Sequence, residues 1–438
     1  MPVYHGRRSE DADAPHRPAD PATGSARTGR RLNRALVLGT LAHHAELSRA
    51  DLARTIGLSK STVSSIVDEL IADGFVRTTG RGTGARGRRP ELLRFVSQAR
   101  YVIGVELSNS HARAFLTDLE GQPLREHASE RPLADPADAV AAAAEAVERV
   151  RGDLSAEAIL GVGVGTPGLV DPRTGVIETA PDLGWRRVAV GPLLSARVGL
   201  PALVSNRATA AAMGEHWRGA GRGARVMVYV SVSTGIAAGF VIGGVLFRGA
   251  SMSEGQLGHV AVEPDGPVCA CGSRGCLQLY AAGPALLGEA RAQARLAPSS
   301  ALHALSEGDL HALTLAAVGR AATADDAAAL AAVARTGRYL GIGVAHLINL
   351  LNPDAVVLGG AVVEAVPQVI ALVRREVDAR AFPAPAAAVR IVAAELGRKA
   401  VGVGAAALLL TDWRRAELGP APVHGRPAGR ARLPAAAR

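Results

Sequence analysis

The chain has 438 residues, of which 48% are apolar, and a formal net charge of +9. That length predicts two or three domains; no run of about 18 uncharged apolar residues offers a membrane span, and three cysteines, an odd count, point to a reducing cytoplasm rather than a disulfide framework. Residues 1–100 carry seventeen Lys/Arg against ten Asp/Glu, and Thr411 to Arg438 six against two, so the middle of the chain is close to neutral. A basic end on a neutral body points to a nucleic-acid partner. The high Ala, Gly and Arg content, with lysine only at Lys60 and Lys399, reads as codon bias in the source.

Residues 1–29 mix Arg, Asp and Pro without an apolar stretch and read as a disordered leader, not a signal peptide. Residues 30–97 are expected to be a DNA-binding domain. Apolar residues recur at helical spacing at Leu32, Ala35, Leu36, Leu38 and Ala42. Ser48 followed by Asp51 marks a helix start, and Gly57 ends that short helix. Ser59 caps the next helix, where Val63, Ile66, Val67 and Leu70 make one buried face. Ala53, Gly57 and Val63 have the spacing of a helix-turn-helix, which needs a small residue at the crossing, a turn glycine and a branched lock. Lys60, Ser61, Thr62 and Ser64 then face the major groove of double-stranded DNA. Phe75–Thr79 and Leu92–Val96 read as strands flanking a Gly/Arg hairpin. That makes a winged helix whose Arg86, Arg88 and Arg89 suit a narrow minor groove.

Residues 98–412 are expected to be a two-lobed α/β body, with a solvated basic tail at 413–438. Strands are predicted at Val102–Val105, Ala112–Asp118, Ile159–Val164, Ala202–Val204, Val226–Val232, Ala237–Ile242 and Ala355–Leu358, with helices between them, such as Pro136–Arg151.

His259 and all three cysteines, Cys269, Cys271 and Cys276, fall within 18 residues. Three thiols and an imidazole are a full tetrahedral set for Zn²⁺, and Gly266, Gly272 and Gly275 supply tight turns. Four protein ligands leave no open position, so the metal is expected to be structural.

These segments carry a family resemblance. Gly258–Leu277, with Gly163–Gly168, Pro181–Trp185, Ser233–Gly239, Asn352–Gly360, Ser48–Ser65 and Arg86–Pro90, resembles the ROK family of repressors, open reading frames and kinases. The resemblance spans about Arg31 to Leu410 and is to the repressor branch. It implies an N-terminal winged helix-turn-helix before a sugar-kinase-like domain of the actin/hexokinase type, a homodimer or homotetramer, an inverted-repeat operator and a sugar or sugar-derivative effector.

The chain departs from the family's kinases. Their catalytic Asp, in an Asn-Asp-Ala segment, is matched by Arg207 after Asn206, and a guanidinium cannot accept a proton. Their Asp-x-Gly-Gly-Thr phosphate loop is matched by Glu106-Leu-Ser-Asn-Ser110. Two sugar-binding Glu are matched by Gln256 and Gln278. The expectation is a cytoplasmic transcriptional regulator, a repressor of carbohydrate genes, whose body is not an enzyme. Asn206, Arg207, Gln256, His259 and Gln278 would contact the ligand, with Arg207 favouring an anion. Two alternatives stay open: an active sugar kinase, or a constitutive DNA-binding protein whose body only scaffolds dimerisation. Whether Arg207 and the glutamines bind a ligand or fill a dead cleft by pairing with each other also stays open.

Overall fold

The computed structural model describes residues 21–81, 90–130 and 133–417; of residues 21–28, Arg81 and Asp182 only the backbone is described. Arg86, Arg88 and Arg89 of the expected wing lie outside the described residues, as do residues 1–20 and 418–438. The chain divides into two compact units, residues 1–96 with 413–438, and residues 97–412.

The first unit contains α1 (Pro21–His43), β1 (Leu47–Ser48), α2 (Arg49–Ile56), α3 (Lys60–Ala72), β2 (Val76–Arg81) and β3 (Glu91–Phe95), with the strands in the order β1-β3-β2. Ser48 caps α2 by accepting the Asp51 N–H, and Ser59 caps α3 by accepting the Thr62 N–H. Between them Gly57 adopts φ +71, the left-handed conformation that closes a helix, and its N–H returns to the Ala53 carbonyl. Val37, Leu38, Leu41, Leu52, Val63, Ile66, Val67, Leu70 and Leu93 are fully or almost fully buried and form the core. The structure differs from the expected leader in one respect: α1 begins at Pro21, so residues 21–29 are helical. Likewise the last helix runs to Glu417, so the first residues of the expected tail are helical, and the Trp413 ring lies 5.8 Å from that of Phe75.

The second unit has two lobes, each built on a five-stranded sheet. The first runs β4 (Tyr101–Leu107), β5 (His111–Asp118), β6 (Pro123–Glu130), α4 (Pro136–Arg151), β7 (Ile159–Thr166), a small sheet of β8 (Leu169–Asp171), β9 (Val176–Ala180) and β10 (Trp185–Val188), then α5 (Val190–Val198), β11 (Ala202–Asn206) and α6 (Arg207–Arg218). The second runs β12 (Val226–Val232), β13 (Ile236–Ile242), β14 (Val245–Leu246), α7 (Gln278–Ala281), α8 (Gly283–Leu296), α9 (Ala301–Leu305), α10 (Leu315–Thr323), α11 (Ala327–Leu351), β15 (Ala355–Gly359), α12 (Ala361–Ala365), α13 (Val369–Arg380), α14 (Pro383–Ala388), β16 (Arg390–Ala393) and α15 (Ala400–Glu417).

The sheet orders are β6-β5-β4-β7-β11 and β14-β13-β12-β15-β16. Numbered within each lobe both read 3-2-1-4-5, an antiparallel meander followed by two parallel strands. The body is therefore one topology used twice. The parallel strands are buried on both faces and read as apolar runs, as at Ala355–Gly359. Helices α6 and α15 close each repeat and cross each other. A Cβ on Gly404 would overlap the Ala210 carbonyl, so only glycine permits this approach. Some of the Gly/Ala richness read as codon bias is thus used for packing.

Candidate functional site

The knuckle is built from two isolated antiparallel bridges, Ala261 to Cys276 and Val268 to Arg274, which fold the cysteines back onto His259. The Cys269 N–H donates to the Ser273 carbonyl (2.7 Å), and the Gly272 N–H to the Cys269 carbonyl (2.9 Å). The ligand atoms of His259, Cys269, Cys271 and Cys276 all lie within 4.8 Å of one another. His259 Nδ1 is 3.7 Å from Cys269 Sγ, and Cys271 Sγ is 3.6 Å from Cys276 Sγ. A tetrahedron with bonds of about 2.3 Å has edges of about 3.7 Å, so the donors fit a zinc-sized ion. Such an ion would cross-link the two bridges.

The thiols are unequal. The Cys271 backbone N–H, with His259 and the other thiols, holds Cys269 down to about 6 against burial, while burial pushes Cys276 up to about 12. A divalent cation would let all three ionise. On its outer side the knuckle is braced by aromatic rings. The Tyr339 hydroxyl donates to Glu263 (3.0 Å), and Tyr339 stacks on Tyr280 at 4.4 Å under the Arg335 guanidinium.

The sugar-facing positions expected from the sequence separate into three groups. Asn206 is a strut: its side chain caps α6 at the Ala208 N–H (2.8 Å) and donates to the Gly168 carbonyl (2.8 Å). Gln278 Nε2 donates to Cys269 Sγ (3.4 Å), which ties it to the knuckle beside His259, and Gln256 is exposed. Arg207 opens the first turn of α6 and lines a cavity of about 450 Å³; it is the one member of the five that does so. Its guanidinium pairs with Glu106 (3.1 Å) on β4 rather than with a glutamine, which corrects the pairing weighed from the sequence.

Glu106 is 5% exposed and sits between two donors, Arg207 on Oε1 and His111 Nε2 on Oε2 (3.4 Å). Burial opposes its ionisation, but His111 and then Arg207 and Arg113 outweigh burial and hold the carboxyl below the ordinary glutamate range. His111 Nδ1 in turn lies 2.9 Å from Ser108 Oγ, which itself accepts the Ser110 and His111 N–H groups and pins the β4–β5 turn. The charge at the base position and the charge at the phosphate loop thus neutralise each other. Sequence reasoning missed His111 and Arg113. The available signal was polar side chains in otherwise apolar strands.

In the first unit the DNA-facing residues gather at the start of α3. Lys60 and Ser61 are exposed, and Thr62 and Ser64 half-buried. The Ser59 hydroxyl lies 2.9 Å from that of Ser61 and 2.8 Å from that of Thr62. The acidic end of α3 is occupied from other helices. Arg49 holds Asp68 (2.8 Å) and the Ser64 carbonyl (3.0 Å), Arg34 holds Asp73 (2.8 Å), and Arg30 pairs with Glu69. Repulsive carboxylates are thereby neutralised while the positive helix start stays open.

The described residues include no helix long and apolar enough to cross a membrane. A family model described as ROK family matches residues 102–412, and one described as MarR family matches residues 28–87. The chain is 30% identical over 386 residues to the xylose repressor of Bacillus spizizenii, covering 88% of this chain and 96% of that protein. It is 34% identical over 309 residues to the glucokinase of Streptomyces coelicolor, covering 70% of this chain and 96% of that one. The solved structure of a ROK family transcriptional regulator, a homologue of the E. coli MLC protein, superposes with a TM-score of 0.77 at 24% identity, covering 90% of this chain and 99% of that one, and so shares the fold.

Proposed function

We propose, from the premise that this chain belongs to the ROK family, a division of labour between its two units. The protein is a sugar-responsive transcriptional repressor: the winged helix binds DNA and the sugar-kinase-like body senses the ligand. The observation that carries this is joint coverage. The likeness to the glucokinase ends with the body, whereas the likeness to the xylose repressor takes in 96% of that protein's length.

In the body, catalysis is absent. Arg207 stands where a kinase needs a base, and its pairing with Glu106 occupies the phosphate side of the cleft. His259, Cys269, Cys271 and Cys276 hold a structural zinc. Asn206, Arg207, Gln256, His259 and Gln278 serve the sugar side, with Asn206 and Gln278 acting through the positions they hold. The body assembles as a dimer or tetramer, and two winged helices then read an inverted repeat. The protein works in the cytoplasm.

The test is operator binding by the full chain against neutral sugars, xylose first, then sugar acids. One of them should change operator affinity by about 5–150-fold, and Gln256→Ala should blunt the response. If no sugar moves the affinity, the body is a scaffold for dimerisation. Replacing Arg86, Arg88 and Arg89 together with Ala should weaken binding and flatten its salt dependence, whereas Lys60→Ala should reduce the salt slope by about one. Unchanged binding across salt would remove the wing from the interface.

A further inference from the structure

The cleft contains a buried cation whose partners are too far away. Arg113 lies on β5, opposite Glu106 in register, and is 4% exposed. Its Nε makes no hydrogen bond among the described residues. Its nearest carboxylates, Glu126 and Glu130, stand at 3.6 and 3.7 Å, beyond hydrogen-bond range, and their side chains are 43% and 69% exposed. A guanidinium cannot shed its charge to escape burial, so an under-paired one favours an incoming anion.

Arg113 does not face the cavity alone. Arg207 and Arg398 line the same space, with the hydroxyls of Ser110, Ser231 and Ser233. Arg398 is 71% exposed, and its printed carboxylate is Glu130 at 4.0 Å. The acids facing the cavity are Glu106, Glu130 and Glu364. Glu106 is already engaged by Arg207 and His111. Glu130 and Glu364 are exposed and can turn to water. Arg113, held within the sheet, cannot. Convergent guanidinium groups with hydroxyls suit a tetrahedral dianion, which offers at least three strong acceptor oxygens, better than a planar carboxylate.

We propose that this cavity is a phosphoryl-anion site, in which Arg113, Arg207 and Arg398 hold the anion apart from Gln256, His259 and Gln278. It is not a remnant of nucleotide use, because its cations stand where phosphoryl transfer needs a base and an open phosphate loop. The volume, about 450 Å³, admits free phosphate or the phosphate end of a sugar phosphate. The proposal rests on reading the cleft as a sensor, but the site binds its anion whether or not operator affinity responds.

The experiment is calorimetric titration of the DNA-free full chain with inorganic phosphate, glucose 6-phosphate, ATP and AMP. Phosphate is expected to bind saturably, and glucose 6-phosphate at least as tightly if the natural source is a phosphorylated sugar. Arg113→Met should abolish phosphate binding. Because that variant removes a buried residue, the exposed Arg398→Ala is the second test and should weaken binding about tenfold. Absence of saturable phosphate binding, or equal affinity in wild type and Arg398→Ala, overturns the site. Competition by AMP, which would place an adenosine in the cleft, overturns it in favour of a nucleotide site. Phosphate binding without a change in operator affinity supports the site and counts against the sensor reading alone.

Discussion

The knuckle and the cleft belong to the same body, but one keeps its donors and the other has exchanged its charges. At the knuckle three sulfurs and an imidazole converge within 4.8 Å, and each cysteine is held by short backbone contacts. In the cleft a guanidinium stands at the base position, and a buried carboxylate from 101 residues earlier in the chain neutralises it. The difference follows from what each region must do. A cross-link that sets the shape of a loop is needed whatever the body senses. A proton acceptor is needed only while phosphoryl transfer is the task. Once that task is dropped, Arg207 and Glu106 can fill the space, provided they pair.

The largest effect is expected at the knuckle. Cys276→Ser should remove zinc, and with it about 3 kcal/mol of stability in the body. At about 2–4 °C per kcal/mol this lowers the melting temperature by roughly 6–12 °C. Metal analysis beside a thermal melt checks it; wild-type protein with clearly less than one zinc per chain would remove the cross-link and the comparison with it.

A smaller effect is expected from restoring the acid in the cleft. Arg207→Asp puts a carboxylate beside buried Glu106. Because Arg207 is 41% exposed, the loss is discounted from the 3–5 kcal/mol of a fully buried pair to about 2 kcal/mol. The variant should still not phosphorylate glucose or N-acetylglucosamine, because the phosphate loop lacks its glycines. Phosphotransfer at ordinary kinase turnover would show that the cleft has kept its machinery.

The smallest effect is a pH dependence. The Glu106 carboxyl is held below its ordinary range, chiefly by His111 and Arg207 working against burial. A lowered folded value stabilises above the unfolded value, about 4.3, and the stabilisation is lost as pH falls through the folded value. The stability gap between wild type and Arg207→Met should therefore be constant from pH 7 to about pH 5 and narrow below about pH 4. A gap that does not depend on pH would mean that Arg207 stabilises by packing rather than by charge.

Much of this protein was legible in its sequence because the signals are local. Ser48, Gly57 and Ser59 mark the helix-turn-helix through hydrogen bonds that span four residues at most. The cysteines and His259 lie within one short segment, so the donor set could be read before any fold was known. Arg207 and the altered phosphate loop could also be read, each as a separate departure. Their pairing could not, because β4 and α6 meet only when the parallel strands β4, β7 and β11 assemble. The same holds for the repeated 3-2-1-4-5 topology and for the Gly404 crossing, where the need for glycine comes from another helix. The sequence by itself determined the element types, the DNA-reading module and the ligand set of the knuckle, since those depend on neighbours along the chain. Only the tertiary structure decided which charges meet in the cleft, because burial and pairing are properties of residues that folding, not sequence order, brings together.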